Sequence, residues 1–274
     1  MLQAKDFFDL GSNRFQRLFD QTEYVWEALK NIKPFLADQL EPNVSDLRNG
    51  STVVEMTIIL HDGKIISSGF EIDNSGKKAV VKIDGAVLEG ASIVYGGAFL
   101  MDDAIYIGKN TVIEPSALIK GPTFIGDGTE VRHGAYIRGE VLIGDNCVVG
   151  HTTEMKSSVM VGGSKAGHFA YIGDSILGSV NMGAGTKLAN LKMIDSQVVI
   201  SEAGNVYKTG LRKFGAILGD GVETGCNSVT TPGTILGKNS LLYPNGTARG
   251  YYPPETIIKI RQDQKRLNLN REEE

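Results

Sequence analysis

Between residues 107 and 155 the chain repeats itself every six residues. Ile107, Ile113, Ile119, Ile125, Val131, Ile137, Ile143, Val149 and Met155 are nine successive aliphatic or methionine positions. Four residues after each stands a small or narrow side chain: Thr111, Ala117, Thr123, Thr129, Ala135, Val141, Cys147, Thr153 and Val159. The residue immediately after each aliphatic is Gly, Glu, Lys or Arg. An amphipathic helix repeats near 3.6 residues and a half-buried strand at 2, so a strict period of six with two inward positions fits neither. It is the pattern of a parallel β-helix, in which three hexads make one triangular coil. Coils stack at strand spacing, roughly 4.8 Å. The aliphatic side chain fills the prism, and the small one fits where the walls converge.

The repeat has edges. Hexads fade in from about Val87, with Met101 in phase with Ile107. Behind Met155 the register slips by one residue, resumes at Met160, Ala166 and Ile172, and slips again at Leu177 and Met182. It is then read through Leu188, Ile194 and Ile200. The slips lie in the polar stretch 150–192, the place to look for function. Residues 201–212 break the pattern and are expected to project as a loop. Coils return at Leu218, Thr224, Thr230, Leu236 and Leu242. Pro253-Pro254 is expected to stop the prism, with a short charged helix from about 255 to 267 capping it and a frayed tail at Glu272–Glu274.

The rest of the chain follows other rules. Residues 1–40 read as helical. Ser12 or Asn13 can cap a short helix carrying Phe15, Leu18 and Phe19, and Thr22 a second with Val25, Leu29, Ile32 and Leu36 on one stripe. Pro34 is expected to end or kink it. Trp26 reads as packing. Residues 52–83 alternate as short strands, and Asp62-Gly63 between apolar runs marks a hairpin. His61, beside that turn, is given no role. The division expected is 1–86 as N-terminal helices and hairpin, 87–252 as the β-helix with its loop 201–212, and 253–274 as cap and tail.

A net charge of −4 gives no global basic field for nucleic acid or membrane. Cys147 and Cys226 make no disulfide framework, and Cys147 occupies an inward slot. Lys5, Asp6 and Asp9 interrupt any apolar leader, and no stretch approaches a membrane span. A cytoplasmic location is the expectation.

Because the fold is periodic, side chains can be placed from spacing. Arg138 and Lys156 each follow an inward residue one coil apart, so both point outward on one face. Two cations about 5 Å apart repel by roughly 3 kcal/mol at an effective dielectric of 20, tolerable in water and suited to a phosphate. Tyr171, just before inward Ile172, projects from the same face one coil on. A solvated pair of cations beside a surface tyrosine is the rival account. His133, His151 and His168 recur at the corner leading onto that face, where imidazole suits general-base work near pH 7. A vertical stack puts the outer two roughly 10 Å apart. Ligand nitrogens on one zinc lie within about 4 Å of each other, so no single-chain metal site is expected. Structural roles compete for each histidine.

The words Tyr136-Ile137-Arg138, Glu154-Met155-Lys156, Gly163-Ser164-Lys165-Ala166-Gly167-His168-Phe169-Ala170-Tyr171-Ile172-Gly173-Asp174 and Val180-Asn181-Met182-Gly183-Ala184-Gly185-Thr186 resemble the acetyltransferase domain of the bifunctional bacterial enzyme that makes UDP-N-acetylglucosamine. Arg212-Lys213-Phe214-Gly215-Ala216-Ile217-Leu218-Gly219-Asp220 is similar to its lysine-bearing segment. The likeness covers about residues 105–245, and a short form without the uridylyltransferase domain is also similar, including Tyr243-Pro244-Asn245-Gly246. It implies a left-handed β-helix, a homotrimer, and acetyl-CoA as co-substrate. By position, His168 would be the base. Arg138, Lys156 and Lys213 would hold the sugar phosphate, Tyr171, Asn181 and Asn190 would line the sugar site, and Ala184 and Cys226 would meet the coenzyme. Three departures stand out: Leu191 replaces a tyrosine, an insertion precedes Lys213, and Cys226 replaces a serine. Residues 1–100 carry no nucleotide-binding Gly-rich loop, so no pyrophosphorylase activity is expected.

These readings converge on acetyl transfer to an amino-sugar phosphate, glucosamine-1-phosphate first. The rivals are a non-catalytic trimeric sensor of sugar phosphates or nucleotide sugars, and a zinc-dependent hydratase of the carbonic-anhydrase β-helix type.

Overall fold

A computed structural model describes residues 2–11, 13–76, 78–261 and 264–266. Its centre is a three-walled prism of parallel strands. The first wall includes Ser92–Val94, Val112–Ile113, Glu130–Val131, Val148–His151, Lys165–His168, Asn181–Met182, Glu223–Thr224, Leu241–Leu242 and Ile257–Ile258. The second runs from Phe99–Leu100 through Tyr136–Ile137, Glu154–Lys156, Tyr171–Gly173 and Lys187–Leu188 to Thr247–Ala248, and the third from Ile105–Ile107 to Tyr251–Tyr252; each has eight strands. All nine aliphatic hexad positions are buried in the single core that runs down the prism. Their narrow partners are buried too, and the threonines among them satisfy their hydroxyls on turn carbonyls, as Thr111 does on Gly126 and Thr129 on Gly144, both at 2.8 Å. Such pairing lets these polar side chains be buried without leaving a bare donor or acceptor; the hydroxyl of Thr230, an inward position of a later coil, is buried without a partner among the described residues.

Several expected boundaries move. Leu100, not Met101, points inward, paired with Ile119. Val87 belongs to a small antiparallel sheet of Glu71–Asp73, Val80–Ile83 and Ala86–Val87 outside the prism, so the coils begin at Ser92. The slips at Met160, Leu177 and Met182 are real, and all three side chains enter the core. The first of them turns Val159 outward into a second core, leaving Ser158 and Met160 to face in. Ile194 is exposed and Ile200 packs in the outer core, so neither belongs to a coil. Instead Leu188 ends one coil, and Leu218 stacks directly on Leu177. The segment between is an insertion whose expected loop is a hairpin, Val199–Glu202 with Asn205–Lys208.

The prism also runs past Pro253-Pro254. Ile257–Ile258 pairs with Leu241–Leu242 as one more rung, and the described part of 255–267 forms no helix. The β-branched pair Ile257-Ile258 favours a strand, and an exposed wall edge offers it partners. The tail Glu272–Glu274 lies outside the described residues.

The N-terminal segment covers the third wall. There the outward column is apolar, Tyr106–Phe124–Leu142–Val159–Ile176–Ile217–Ile235–Tyr251. Phe7, Phe8, Phe15, Leu18, Trp26 and Ile32 pack against it. Phe15 meets Phe124 edge-on at 5.7 Å. Trp26 stacks flat on Tyr24 at 4.7 Å, a packing role. The helix Ala28–Gln39 runs through Pro34 without ending. Pro34 and Lys30 are both exposed, so the carbonyl that Pro34 leaves unbonded faces water. Asn13 accepts from Phe15 N–H at 2.9 Å at the short helix Gln16–Phe19, whereas Ser12 lies outside the described residues. Thr22 bonds back to Phe19 rather than capping. The Asp62-Gly63 hairpin forms as expected, and its strand Ile58–His61 pairs with Ser92–Val94, extending the first wall. No described helix is long and apolar enough to cross a membrane.

Candidate active site

The corner between the first and second walls is built by a repeated turn. Thr152, Phe169, Gly185, Asn227 and Asn245 all adopt positive φ there. Each donates its N–H to the corner residue of the coil before: His133, His151, His168, Ala184 and Cys226 in turn. One continuous column therefore carries His168, Ala184 and Cys226 on successive coils.

The three histidines part company at this corner. His133 and His151 stack with ring centroids 5.4 Å apart, and the third ring on that stack is Phe169, edge-on to His151 at 5.2 Å. His168 is thus not the third ring of the expected stack. Phe169 occupies the same left-handed turn position as Thr152 one coil before, and its phenyl fills that place. His133 bonds Ser116 and the Pro115 carbonyl, and His151 bonds the His133 carbonyl and Thr152. His168 is exposed and its ring bonds nothing among the described residues. No group of three or more His, Cys, Asp or Glu side chains among the described residues is arranged to hold a metal ion.

The second wall leads away from that corner and carries the polar cluster. Strand register puts Ile137 beside Met155 and Ile172 beside Met155 on the other side, so Arg138 and Lys156 are vertical neighbours on the outer face. Each has an acid that sequence reasoning did not assign. Arg138 Nη1 bonds Glu154 Oε1 at 2.7 Å, an arrangement that raises the guanidinium pKa. Lys156 Nζ lies 3.3 Å from Asp174 Oδ2. The second pair is the more enclosed, with side chains 16% and 15% exposed against 44% and 34% for the first. Asp174 also accepts from Asn190 Nδ2, and Tyr171 Oη donates to Asn190 Oδ1 at 3.4 Å. Burial, then the charges of Glu154 and Asp174, push the Tyr171 phenol pKa up, so it stays a donor. The spacing of eighteen between Lys156 and Asp174 was a signal for that pairing.

Gly173 makes the cluster possible. A Cβ there would lie 2.6 Å from Tyr171 Oη and 2.8 Å from Asn190 Nδ2. Lys213 is brought to the same place through its backbone. It bridges Leu191, and Phe214 N–H and Gly215 N–H donate to the Asn190 and Asp174 carbonyls at 2.9 and 2.8 Å. The structure therefore gathers Arg138, Lys156, Tyr171, Asn190 and the Lys213 backbone. It does not bring Asn181 to them, because Asn181 sits on the first wall between Lys165 and Glu223. Tyr171 is three residues from both His168 and Asp174, so one wall's width links the corner to the cluster.

A hexapeptide-repeat β-helix with a polar cluster on an uncovered wall is the class that this fold and site define. A family model described as the GMPPB C-terminal domain matches residues 119–244. The bifunctional sugar-1-phosphate nucleotidylyltransferase/acetyltransferase of Sulfurisphaera tokodaii is 41% identical over 83 residues, 30% of this chain and 21% of that protein. The bifunctional protein GlmU of Methanococcus vannielii is 42% identical over 83 residues, 30% of this chain and 20% of that one. The chain thus spans about a fifth of the length of the curated relatives it matches. Among solved structures, a hexapeptide transferase family protein from Anaplasma phagocytophilum is similar over 61% of this chain and 72% of its own, at 17% identity and a TM-score of 0.16. At that score the likeness carries no argument. The resemblance read from the motifs is borne out by the bifunctional relatives.

Proposed function

We propose that this chain is an acyltransferase that uses acetyl-CoA to N-acetylate an amino-sugar phosphate, with glucosamine-1-phosphate as the first acceptor to test. The observation that carries this reading is the corner column. An exposed imidazole, with both nitrogens unbonded among the described residues, stands below Ala184 and Cys226, beside the wall that holds Arg138, Lys156, Tyr171 and Asn190. The relatives named as acetyltransferases support it.

In this reading the neutral amine attacks the thioester carbonyl carbon. A C–N bond forms and the C–S bond breaks. His168 takes the amine proton and returns it to the departing sulfur, so coenzyme A leaves as the thiol. Arg138 keeps donors beyond the one given to Glu154, and Lys156 keeps two beyond Asp174. These meet the phosphate, with Lys213 reaching from the insertion. Tyr171 and Asn190 orient the sugar. Asn181 faces away from them in one chain and serves the site formed with an adjacent copy in a homotrimer, where Ala184 and Cys226 border the coenzyme.

The test is release of free thiol from acetyl-CoA with glucosamine-1-phosphate. His168→Ala should lower turnover by about 10²–10⁴, the usual worth of a positioned base. Turnover unchanged in that variant would sink the assignment.

A further inference from the structure

The cationic column on the second wall does not end at Arg138. Lys120 N–H donates to the Ile137 carbonyl and Arg138 N–H to the Met155 carbonyl, both at 2.8 Å. Lys120, Arg138 and Lys156 therefore occupy the same outward position on three successive coils, rungs roughly 4.8 Å apart. Tyr136 lies between the first two. Lys120 Nζ is 5.4 Å from its ring centroid and the Arg138 guanidinium 5.8 Å. Such contacts hold both cations at the ring without neutralising them. Arg138 and Lys156 are each matched by a carboxylate, Glu154 and Asp174. Lys120 has no acidic partner among the described residues. Within this column of three cations only Arg138 and Lys156 are paired with carboxylates among the described residues, so Lys120 is the cation the column leaves unpaired.

We propose that this cationic column takes an extended anion, a diphosphate, with Arg138 and Lys156 at one phosphoryl group and Lys120 at the next. This deepens the acyl-transfer reading and rests on it for the identity of the bound molecule: the acceptor class becomes a nucleoside-diphosphate-linked amino sugar. A monophosphate satisfies the Arg138–Lys156 rungs and leaves Lys120 unused. A diphosphate runs along the column and uses all three. The Tyr136 ring, flanked by two cations on an uncovered wall, is the packing surface beside the second phosphoryl group.

Binding separates this inference from catalysis. The full-length protein is titrated calorimetrically with inorganic pyrophosphate and with orthophosphate. The wild type should bind pyrophosphate at least about tenfold more tightly, the effect of one added charge-assisted contact. Lys120→Gln should abolish most of that preference and Lys120→Arg should retain it. Equal affinity for the two anions in the wild type, or a preference that survives Lys120→Gln, overturns the proposal. Failure of the acyl-transfer reading looks different: the pyrophosphate preference persists, but neither glucosamine-1-phosphate nor UDP-glucosamine elicits thiol release.

Discussion

The second and third walls are built from the same repeat, each turning mostly aliphatic side chains into the prism at the same rung spacing, yet they face different worlds. Every outward residue along the third wall is apolar, and the N-terminal segment buries much of that face. Along the second wall the corresponding column reads Phe99, Leu118, Tyr136, Glu154, Tyr171, Lys187, Val229, Thr247. Its middle rungs carry ion pairs and a phenol held among polar partners. The inward pattern thus specifies the prism, while the outward column decides which wall becomes core and which stays open to a ligand.

The largest expected effect falls on the covered wall. Phe15 is fully buried and meets both Phe35 and Phe124 edge-on. Phe15→Ala should cost about 3–5 kcal/mol of unfolding free energy, the range for a large aromatic removed from a packed core. Denaturant unfolding measures it. A loss below about 1 kcal/mol would mean that the N-terminal segment only drapes the wall, and the contrast between the two walls would weaken.

Much of this was legible in residue order, and the failures have physical reasons. Ile107 to Met155 announced the coil because packing leaves no latitude inside a narrow prism. The covering of the third wall had a signal that was not read: Tyr106, Phe124 and Leu142 precede inward residues at intervals of eighteen. Ile194 and Ile200 fell in phase by composition alone. Only the pairing of Leu177 with Leu218 shows that the chain has left the coil between them. Arg138, Lys156 and Tyr171 were placed correctly because the period fixes the outward face. Asp174 and Glu154 were not assigned, because spacing gives positions but not the direction in which a carboxylate swings. Spacing alone left His168 one of three equals, and it was the resemblance that singled it out as the base. The left-handed turn recurs on each coil; what sets this coil apart is that its turn position holds Phe169, whose phenyl packs on His151, and spacing does not say which neighbouring ring continues a stack.

A smaller effect sharpens the comparison on the open wall. In Gly173→Ala the new methyl competes with Tyr171 Oη and Asn190 Nδ2 for the same space. Gly173 has an ordinary backbone angle, so the substitution adds bulk without left-handed strain. Tyr171 must swing outward, toward solvent, rather than into a core. The expected result is an acceptor KM raised about tenfold, corresponding to one lost hydrogen-bonding contact, with the unfolding midpoint nearly unchanged. A collapse of stability with KM intact would show that the cluster is structural packing and not a site.

The smallest effect on stability is expected at Glu154. Its pair with Arg138 is solvent-washed on both sides, and exposed ion pairs contribute about 0–1 kcal/mol. Glu154→Gln should therefore leave the unfolding free energy within about 1 kcal/mol of the wild type. It should also release an Arg138 donor and remove a negative charge from the cationic column, so orthophosphate should bind several-fold more tightly, about 1 kcal/mol at an effective dielectric intermediate between water and protein. The gain should shrink as salt is raised, because exposed charges are screened over roughly 10 Å at 0.1 M. Calorimetry at two ionic strengths reads both quantities. If Glu154→Gln instead costs several kcal/mol of stability and leaves anion affinity unmoved, the second wall is held closed by its ion pairs as firmly as the third is by its aromatics, and the open wall would not be the binding face.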